Sequence, residues 1–523
     1  MNSSLILSLV GIMISLYTIA NESKKRNIRF KFSIISYILL ILMIGSFFIS
    51  IIFEGYFKIK QNEMVFDFIG FNLIYSYWYS MLGLLLLILI SGYFAYLIFN
   101  NKIKKEIEFI KSLRKNFNND QIGLIIADLD LFFQNLMKKY LPNGRKAEEN
   151  NTVRILKNEE PLSKSKILKN KIYNLWNTNK IKFSSEFNSL FSDLLKNNLF
   201  ISKLIKESPY LGAKIINSNI KTRLKKEFVE DFLKELLLDN ESVLYTQIKN
   251  NQNLYQLSRY RIYSENYLLY ALFSNIKIAN ELEVWKPIGE GAIEYIQNTN
   301  NNVEKSFVVD YEEKCFESPV FVAIRFFDIM VKEALVNNFS STMHLHYYHH
   351  FTDNIVKNIE YPDEKKGEFA NLYEYYLYVI FDNYRNWIKF IFQNDVDYKI
   401  SLKRVNNEYE GGNIIKNSII SMTESMDSIA NSKIREKFKK YLFNISIKLY
   451  CDLMLDFNEQ AEKYGQVLLR CVISKINKWD GKNIKLQDVL LNTLEDFDRI
   501  PIVFKNNGKD VLEEFENQIQ SNS

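Results

Sequence analysis

The chain has 523 residues and a formal charge of +6 at neutral pH. Its first 120 residues hold 13 basic and 7 acidic side chains, which accounts for the whole excess and leaves the rest of the chain electroneutral. A nucleic-acid-binding domain usually carries a basic surface, so this balance disfavours nucleic acid as a partner of the region after residue 120. The three cysteines, Cys315, Cys451 and Cys471, lack paired spacing, which predicts free thiols in a reducing compartment.

Three long apolar segments occupy the first hundred residues, at about 5–20, 32–53 and 73–99. At about 1.5 Å of rise per residue, the second and third are long enough to cross a hydrocarbon core of about 30 Å as helices. The first is shorter, and a cleaved signal peptide is the alternative. No Lys or Arg precedes it, whereas a signal peptide begins with a positively charged region. The sequence therefore predicts three transmembrane helices.

The charges that flank these segments predict their orientation. Basic residues lie between the first and second segments and again after the third, while the loop between the second and third is slightly acidic. Because cytoplasmic loops carry an excess of Lys and Arg, we expect an outside N-terminus in a bacterial inner membrane, with residues 100–523 in the cytoplasm. The same residues would contact anionic lipid headgroups. These membrane-orienting residues are Lys24, Lys25, Arg26, Arg29, Lys31, Lys102, Lys104 and Lys105.

Helical periodicity dominates after the third segment. An apolar stripe continues out of that segment and predicts a juxtamembrane helix over residues 100–118. Further apolar stripes predict helices after Asp120, from Thr222 to Asp239 and across Ser432 to Ile476. Strand-like alternation is confined to Phe307–Asp310 and Lys399–Val405. The sequence therefore predicts an all-α fold after the membrane segments.

The size of this helical region predicts more than one lobe. About 400 residues exceed what one hydrophobic core usually serves. The stretch from Gln297 to Pro319 is rich in helix-breaking residues. We therefore expect a helical cytoplasmic lobe over residues 119–300 and a second over residues 301–523, with a continuous array of helix pairs as the alternative.

All four histidines of the chain lie between His344 and His350. The preceding Ser340 to Thr342 are good capping residues, so a helix from about Ser341 to Ile359 is expected. Offsets of three, four and seven residues superpose on a helix, and this places four candidate ligands on one face. Imidazoles one turn apart with a carboxylate nearby are a frequent zinc-ligand set. A pH-responsive cluster and an aromatic packing surface are the alternatives. The four candidate ligands are His346, His349, His350 and Asp353.

Two shorter motifs are ambiguous. Asp128 and Asp130 resemble the strand-end Asp-x-Asp of nucleotidyl cyclases, which could share Mg²⁺, but the flanking period is helical and would make the two carboxylates diverge. The string Lys286 to Gly291 contains a Gly-x-Gly and could present backbone N–H groups to an anion. A turn between two helices is the interpretation that we favour for it.

These features favour an inner-membrane protein whose helical cytoplasmic region binds a protein partner or a cue. Its role could be that of a signalling, scaffolding or defence effector, and self-association of the chain is also expected. The absence of a Walker A loop, a nucleophile-elbow serine and a Cys-x-x-Cys pair argues against an enzyme, and no cofactor is expected. One alternative is a membrane-tethered, metal-dependent hydrolase that uses His346, His350 and Asp353, with zinc as the possible metal. The other is a pore-forming effector in which the three spans are the output.

Overall fold

A computed structural model describes the chain in two compact units, one of residues 1–142 and 149–191 and the other of residues 143–148 and 192–523. We refer to them as unit 1 and unit 2. The described residues are 65–68, 71–74, 108–140, 185–218, 220, 222–251, 261–298, 302–305, 310–337, 339, 343–361, 368–392, 404–405, 408–409, 412–455, 459–478, 481–497 and 507–521.

The described residues of unit 1 form one hairpin and two helices, and a third helix continues into unit 2. Strands β1 (Val65–Phe68) and β2 (Phe71–Ile74) pair antiparallel, with Val65 opposite Ile74. Helix α1 covers residues 108–118, and α2 covers Ile122–Tyr140. Helix α3, over residues 185–195, leads the chain from unit 1 into unit 2.

The predicted membrane segments lie outside the described residues, except at the start of the third. Leu73 and Ile74 belong to strand β2 there, so a helix that begins at Leu73 is wrong for these two residues. In the hairpin Leu73 lies opposite Phe66, and Ile74 lies opposite Val65. Across the ranges that the structure describes, no helix combines the length and the apolar character that crossing a bilayer requires. The three transmembrane helices remain a prediction.

Helices α1 and α2 of unit 1 follow the apolar periodicity of the sequence. Asp120 adopts a positive φ of 53° between them, and Gln121 N donates to Asn116 O at 2.9 Å, so the first helix ends here. On α2, Asp128 is buried and Asp130 is exposed. The two carboxylates therefore diverge as the helical period predicts, and the Asp-x-Asp does not form a strand-end pair. The apolar residues that α1 and α2 bury include Phe109, Leu113, Ile125, Leu129 and Phe133.

Unit 2 is built from helices with two minor hairpins, so the described fold is all-α as predicted. Its elements in chain order are α4 (Asn198–Glu207), α5 (Pro209–Ile216), α6 (Thr222–Leu238), α7 (Val243–Asn250), α8 (Tyr267–Phe273), α9 (Ile276–Glu281), α10 (Trp285–Asn298), α11 (Asn302–Lys305), α12 (Tyr311–Lys314), a 3-10 turn (Cys315–Glu317), α13 (Pro319–Val336), a second 3-10 turn (Met343–Leu345), α14 (His346–Asn358), α15 (Leu372–Phe392), β3 (Arg404–Val405), β4 (Glu408–Tyr409), α16 (Gly412–Ala430), α17 (Glu436–Leu455), α18 (Glu459–Ile476), β5 (Asn477–Lys478), β6 (Gly481–Lys482), α19 (Ile484–Phe497) and α20 (Asn507–Ser521).

The core of unit 2 lies around α13, whose sides are almost all buried. This helix starts with Pro319 at its first position and with the Ser318 hydroxyl accepting from Val320 N at 3.3 Å. Helix α13 contacts α10 on one side and α15 on another, while α16 lies between α14 and α18. The expected seam from Gln297 to Pro319 falls inside unit 2, and the division into lobes at about residue 300 stays a prediction.

The three cysteines have free thiols, as the sequence predicts. Cys315 and Cys451 are buried, and Cys471 is partly exposed. Burial raises the pKa of Cys315 to about 12, so its thiol stays protonated and unreactive at neutral pH.

The Gly-x-Gly string lies inside α10, which makes both the anion loop and the predicted turn wrong. A Cβ atom on Gly289 would lie 2.2 Å from Cδ1 of Tyr347 on α14. Gly289 therefore serves close packing of two helices, because only hydrogen fits between its backbone and the ring. At Gly291 the nearest side-chain atom, Leu237 Cδ2, would be 3.0 Å away.

We predict that Gly289→Ala lowers the free energy of unfolding by about 1–3 kcal/mol, because the clash with the Tyr347 ring exceeds the gain of about 1 kcal/mol that alanine brings to a helix. Gly291→Ala is the matched control, since a flexible leucine methyl can move away. Denaturant titration of both variants compares them, and equal or opposite changes would contradict the packing role of Gly289.

Candidate functional site

The histidine segment forms the second 3-10 turn of unit 2 and the first turns of α14. His344 is fully buried, and neither of its ring nitrogens has a hydrogen-bond partner among the described residues. Burial, with a smaller contribution from His346, lowers the pKa of His344 to about 3. His344 is therefore a neutral side chain of the core at physiological pH.

The other three histidines lie on α14, where His346 and His350 are exposed and His349 is partly buried. His349 Nε2 lies 3.2 Å from Asp353 Oδ2, one turn away. The Ser428 hydroxyl of α16 donates a short hydrogen bond to the other oxygen of Asp353. His346 and His350 are exposed, and burial of part of the ring, followed by the neighbouring His349, lowers the pKa of His350.

This arrangement ties α14 to α16, and it is not a nucleophile triad. In a serine triad the imidazole contacts the hydroxyl and the carboxylate orients the imidazole. Here the carboxylate of Asp353 lies between Ser428 and His349, so the serine proton faces the carboxylate and not the imidazole. Within the described ranges, no three His, Cys, Asp or Glu side chains are placed to hold a metal ion. The zinc set His346, His350 and Asp353 remains a prediction.

A second candidate site is an open groove at the ends of four helices, which we call the α4–α7 groove. Its volume is about 840 Å³, within the range of about 300–1,000 Å³ that is usual for ligand sites. Two hydroxyls tie the start of α7 to the end of α6 beside the groove: Ser242 Oγ donates to Leu236 O and Tyr245 Oη donates to Leu237 O, each at 2.7 Å. The groove is lined by Ser202, Ile205, Lys206, Pro209, Glu235, Leu238, Asp239, Glu241, Ser242, Val243 and Thr246.

The groove is acidic, and its carboxylates have no ion-pair partner in the part of the chain that the structure describes. Glu235, Asp239 and Glu241 face a single lysine, Lys206, and none of the four is in a salt bridge with another described residue. Asp239 does accept one hydrogen bond, from Glu241 N at 3.1 Å.

Ion pairing is the rule elsewhere on α6. Glu227 pairs with Lys196 at 2.9 Å, and Glu230 with Lys286 at 3.5 Å. Lys234, one residue before the groove carboxylate Glu235, pairs with Glu294 of α10 at 2.8 Å. Glu235, at the groove end of α6, has no salt bridge to another described residue, and the same holds for Asp231 one turn earlier.

An exposed leucine accompanies these charges. Leu238, the last residue of α6, keeps 52% of its surface exposed although the other leucines of that turn are buried. The sequence alone does not reveal this site, because its residues come from four helices and a connecting turn. The available signal was Leu238 itself, which falls off the apolar stripe of Leu224, Phe228, Phe232 and Leu236.

We predict that acid weakens unit 2 through His344. The unfolded imidazole takes up a proton below its usual pKa of 6.5, while the folded one does not until about pH 3. The free energy of unfolding should therefore fall by about 1.4 kcal/mol per pH unit as the pH drops below 6.5. Denaturant titrations at pH 7.5 and 5.5 measure this loss, and His344→Met should remove most of it, leaving the smaller loss that the lowered pKa of His350 causes.

The control for this measurement is His346→Gln, which removes an exposed imidazole of the same segment and leaves His344 in place. This control should keep the loss between pH 7.5 and 5.5. A pH dependence that is the same in His344→Met and in the unmodified protein would contradict the role of His344.

The chain was also compared with known proteins. No protein-family model, no curated protein and no solved structure matches it. The residues of the α4–α7 groove and of α14 are therefore the basis for the functional proposals that follow.

Proposed function

We propose that this protein is a bacterial inner-membrane protein whose helical cytoplasmic region binds a partner protein in the α4–α7 groove. The observation that carries the proposal is the set of three unpaired carboxylates beside the exposed Leu238. Exposed apolar surface beside a groove marks an interaction site, and the acidic charge there would select a partner of complementary charge.

The membrane part of the proposal rests on the sequence. Apolar segments at about 5–20, 32–53 and 73–99 would anchor the chain, and the basic residues beside them would hold residues 100–523 at the cytoplasmic face. An anchored chain meets its partner at the membrane surface, which suits a signalling, scaffolding or defence effector. Self-association of the anchored chains is compatible with this arrangement.

The partner-binding proposal is tested by photo-crosslinking in living cells. Thr246 is an exposed residue that lines the groove, and a photoreactive amino acid at this position should form an adduct with a bound protein. Glu462, exposed on α18 and outside the groove, is the matched control position. We expect an adduct of defined mass from position 246 and none from position 462.

Two results would contradict partner binding in the groove. One is the absence of any adduct from position 246. The other is the same set of adducts from positions 246 and 462, which would indicate random collisions.

The zinc-dependent hydrolase and the pore-forming effector are the alternative proposals. For the hydrolase, His346→Ala with His350→Ala should remove bound zinc from the purified full chain. If metal analysis finds substoichiometric zinc before and after these changes, the hydrolase is excluded. For the pore, overexpression should depolarise the membrane, and deletion of residues 1–99 should abolish that effect.

A further inference from the structure

The charge of the α4–α7 groove is set by its side chains. Helices α4 and α6 end at the groove, and α5 and α7 begin there. A helix presents partial negative charge at its C-terminus and partial positive charge at its N-terminus, so the four ends roughly cancel. Three carboxylates against Lys206 then leave the groove negative. A ligand that complements it carries positive charge.

The apolar surface around the groove points to a ligand larger than a small polycation. Leu238 lines the groove at 52% exposure. A second large apolar residue is exposed on α4: Leu199, one turn before the lining residue Ser202, keeps 45% of its surface exposed. A polyamine would use the carboxylates but leave these side chains in water. A peptide segment with both basic and apolar residues would cover them.

We infer that the α4–α7 groove binds a segment of a partner protein that places Lys or Arg side chains beside Glu235 and Glu241 and an apolar side chain on Leu238. This inference rests on the proposed partner-binding function and names the chemistry of the partner. Such a segment combines a charged contact, which sets orientation and speeds association, with apolar contact that excludes water.

The charged contacts contribute modestly to affinity, because Glu235 and Glu241 are exposed. An exposed ion pair changes affinity by about two- to fivefold, so neutralising both carboxylates should weaken binding by roughly tenfold. The contribution should also shrink as salt is added, since salt screens exposed charges.

The test uses the full chain in a non-ionic detergent and fluorescence anisotropy of a short labelled peptide that alternates Lys and Leu. Glu235→Gln with Glu241→Gln should weaken its binding by roughly tenfold. The matched control is Glu462→Gln with Glu495→Gln, which removes the same charge at exposed positions outside the groove and should leave affinity unchanged. Leu238→Ser should also weaken binding. The corresponding Glu and Leu peptide should not bind.

Several outcomes would overturn the inference. They are equal affinity in the groove variant and its control, equal binding of the acidic peptide, and binding of spermine as tight as that of the Lys and Leu peptide, which would make the groove a small-polycation site. If crosslinking through position 246 succeeds while the peptide fails these tests, the groove binds a partner of different chemistry. If that crosslinking also fails, the proposed function falls with the inference.

Discussion

A buried carboxylate sets the arrangement of the central helices of unit 2. Asp328 of α13 accepts a hydrogen bond from Trp387 Nε1 of α15 at 2.9 Å, and Lys332 lies 2.7 Å from its other oxygen. Beside it, the buried Tyr348 of α14 accepts from Asn383 Nδ2 of α15 at 2.9 Å. A buried charge without partners costs several kcal/mol, so these three helices have to meet in one register. Helix α14 in turn packs against α10 and α16.

The two candidate sites differ in whether the fold already provides partners for their polar groups. At α14, Asp353 is already satisfied by His349 and Ser428, and His344 is buried and neutral, so these groups hold helices together. At the α4–α7 groove, Ser242 and Tyr245 donate to backbone carbonyls at the end of α6. The groove carboxylates have no salt bridge to another described residue. Polar groups that the fold does not satisfy are available to a ligand, which is why the groove carries the functional proposal.

Periodicity in the sequence predicted the helices well and their tertiary roles poorly. The stripe from Thr222 to Asp239 matches α6, because apolar spacing determines which face is buried. The Gly289 string was misread as a turn, since glycine in a helix is explained only by the neighbouring ring of Tyr347. Helical spacing places both His349 and His350 within reach of Asp353. Only the side-chain positions show that His349 is the one in contact with it. The groove depends on residues that are distant in sequence, so no local pattern could show it.

The most direct test of the α4–α7 groove as the binding surface is hydrogen–deuterium exchange of the full chain with and without the Lys and Leu peptide. If the peptide binds in the groove, amide exchange should slow in residues 198–209 and 235–246, with no change in residues 343–358. Bound ligand reduces local opening of the helices that it contacts, so protection reports the contact surface. Protection confined to residues 343–358, with no change in the groove, would contradict binding in the groove. It would instead indicate that the peptide binds at the histidines of α14.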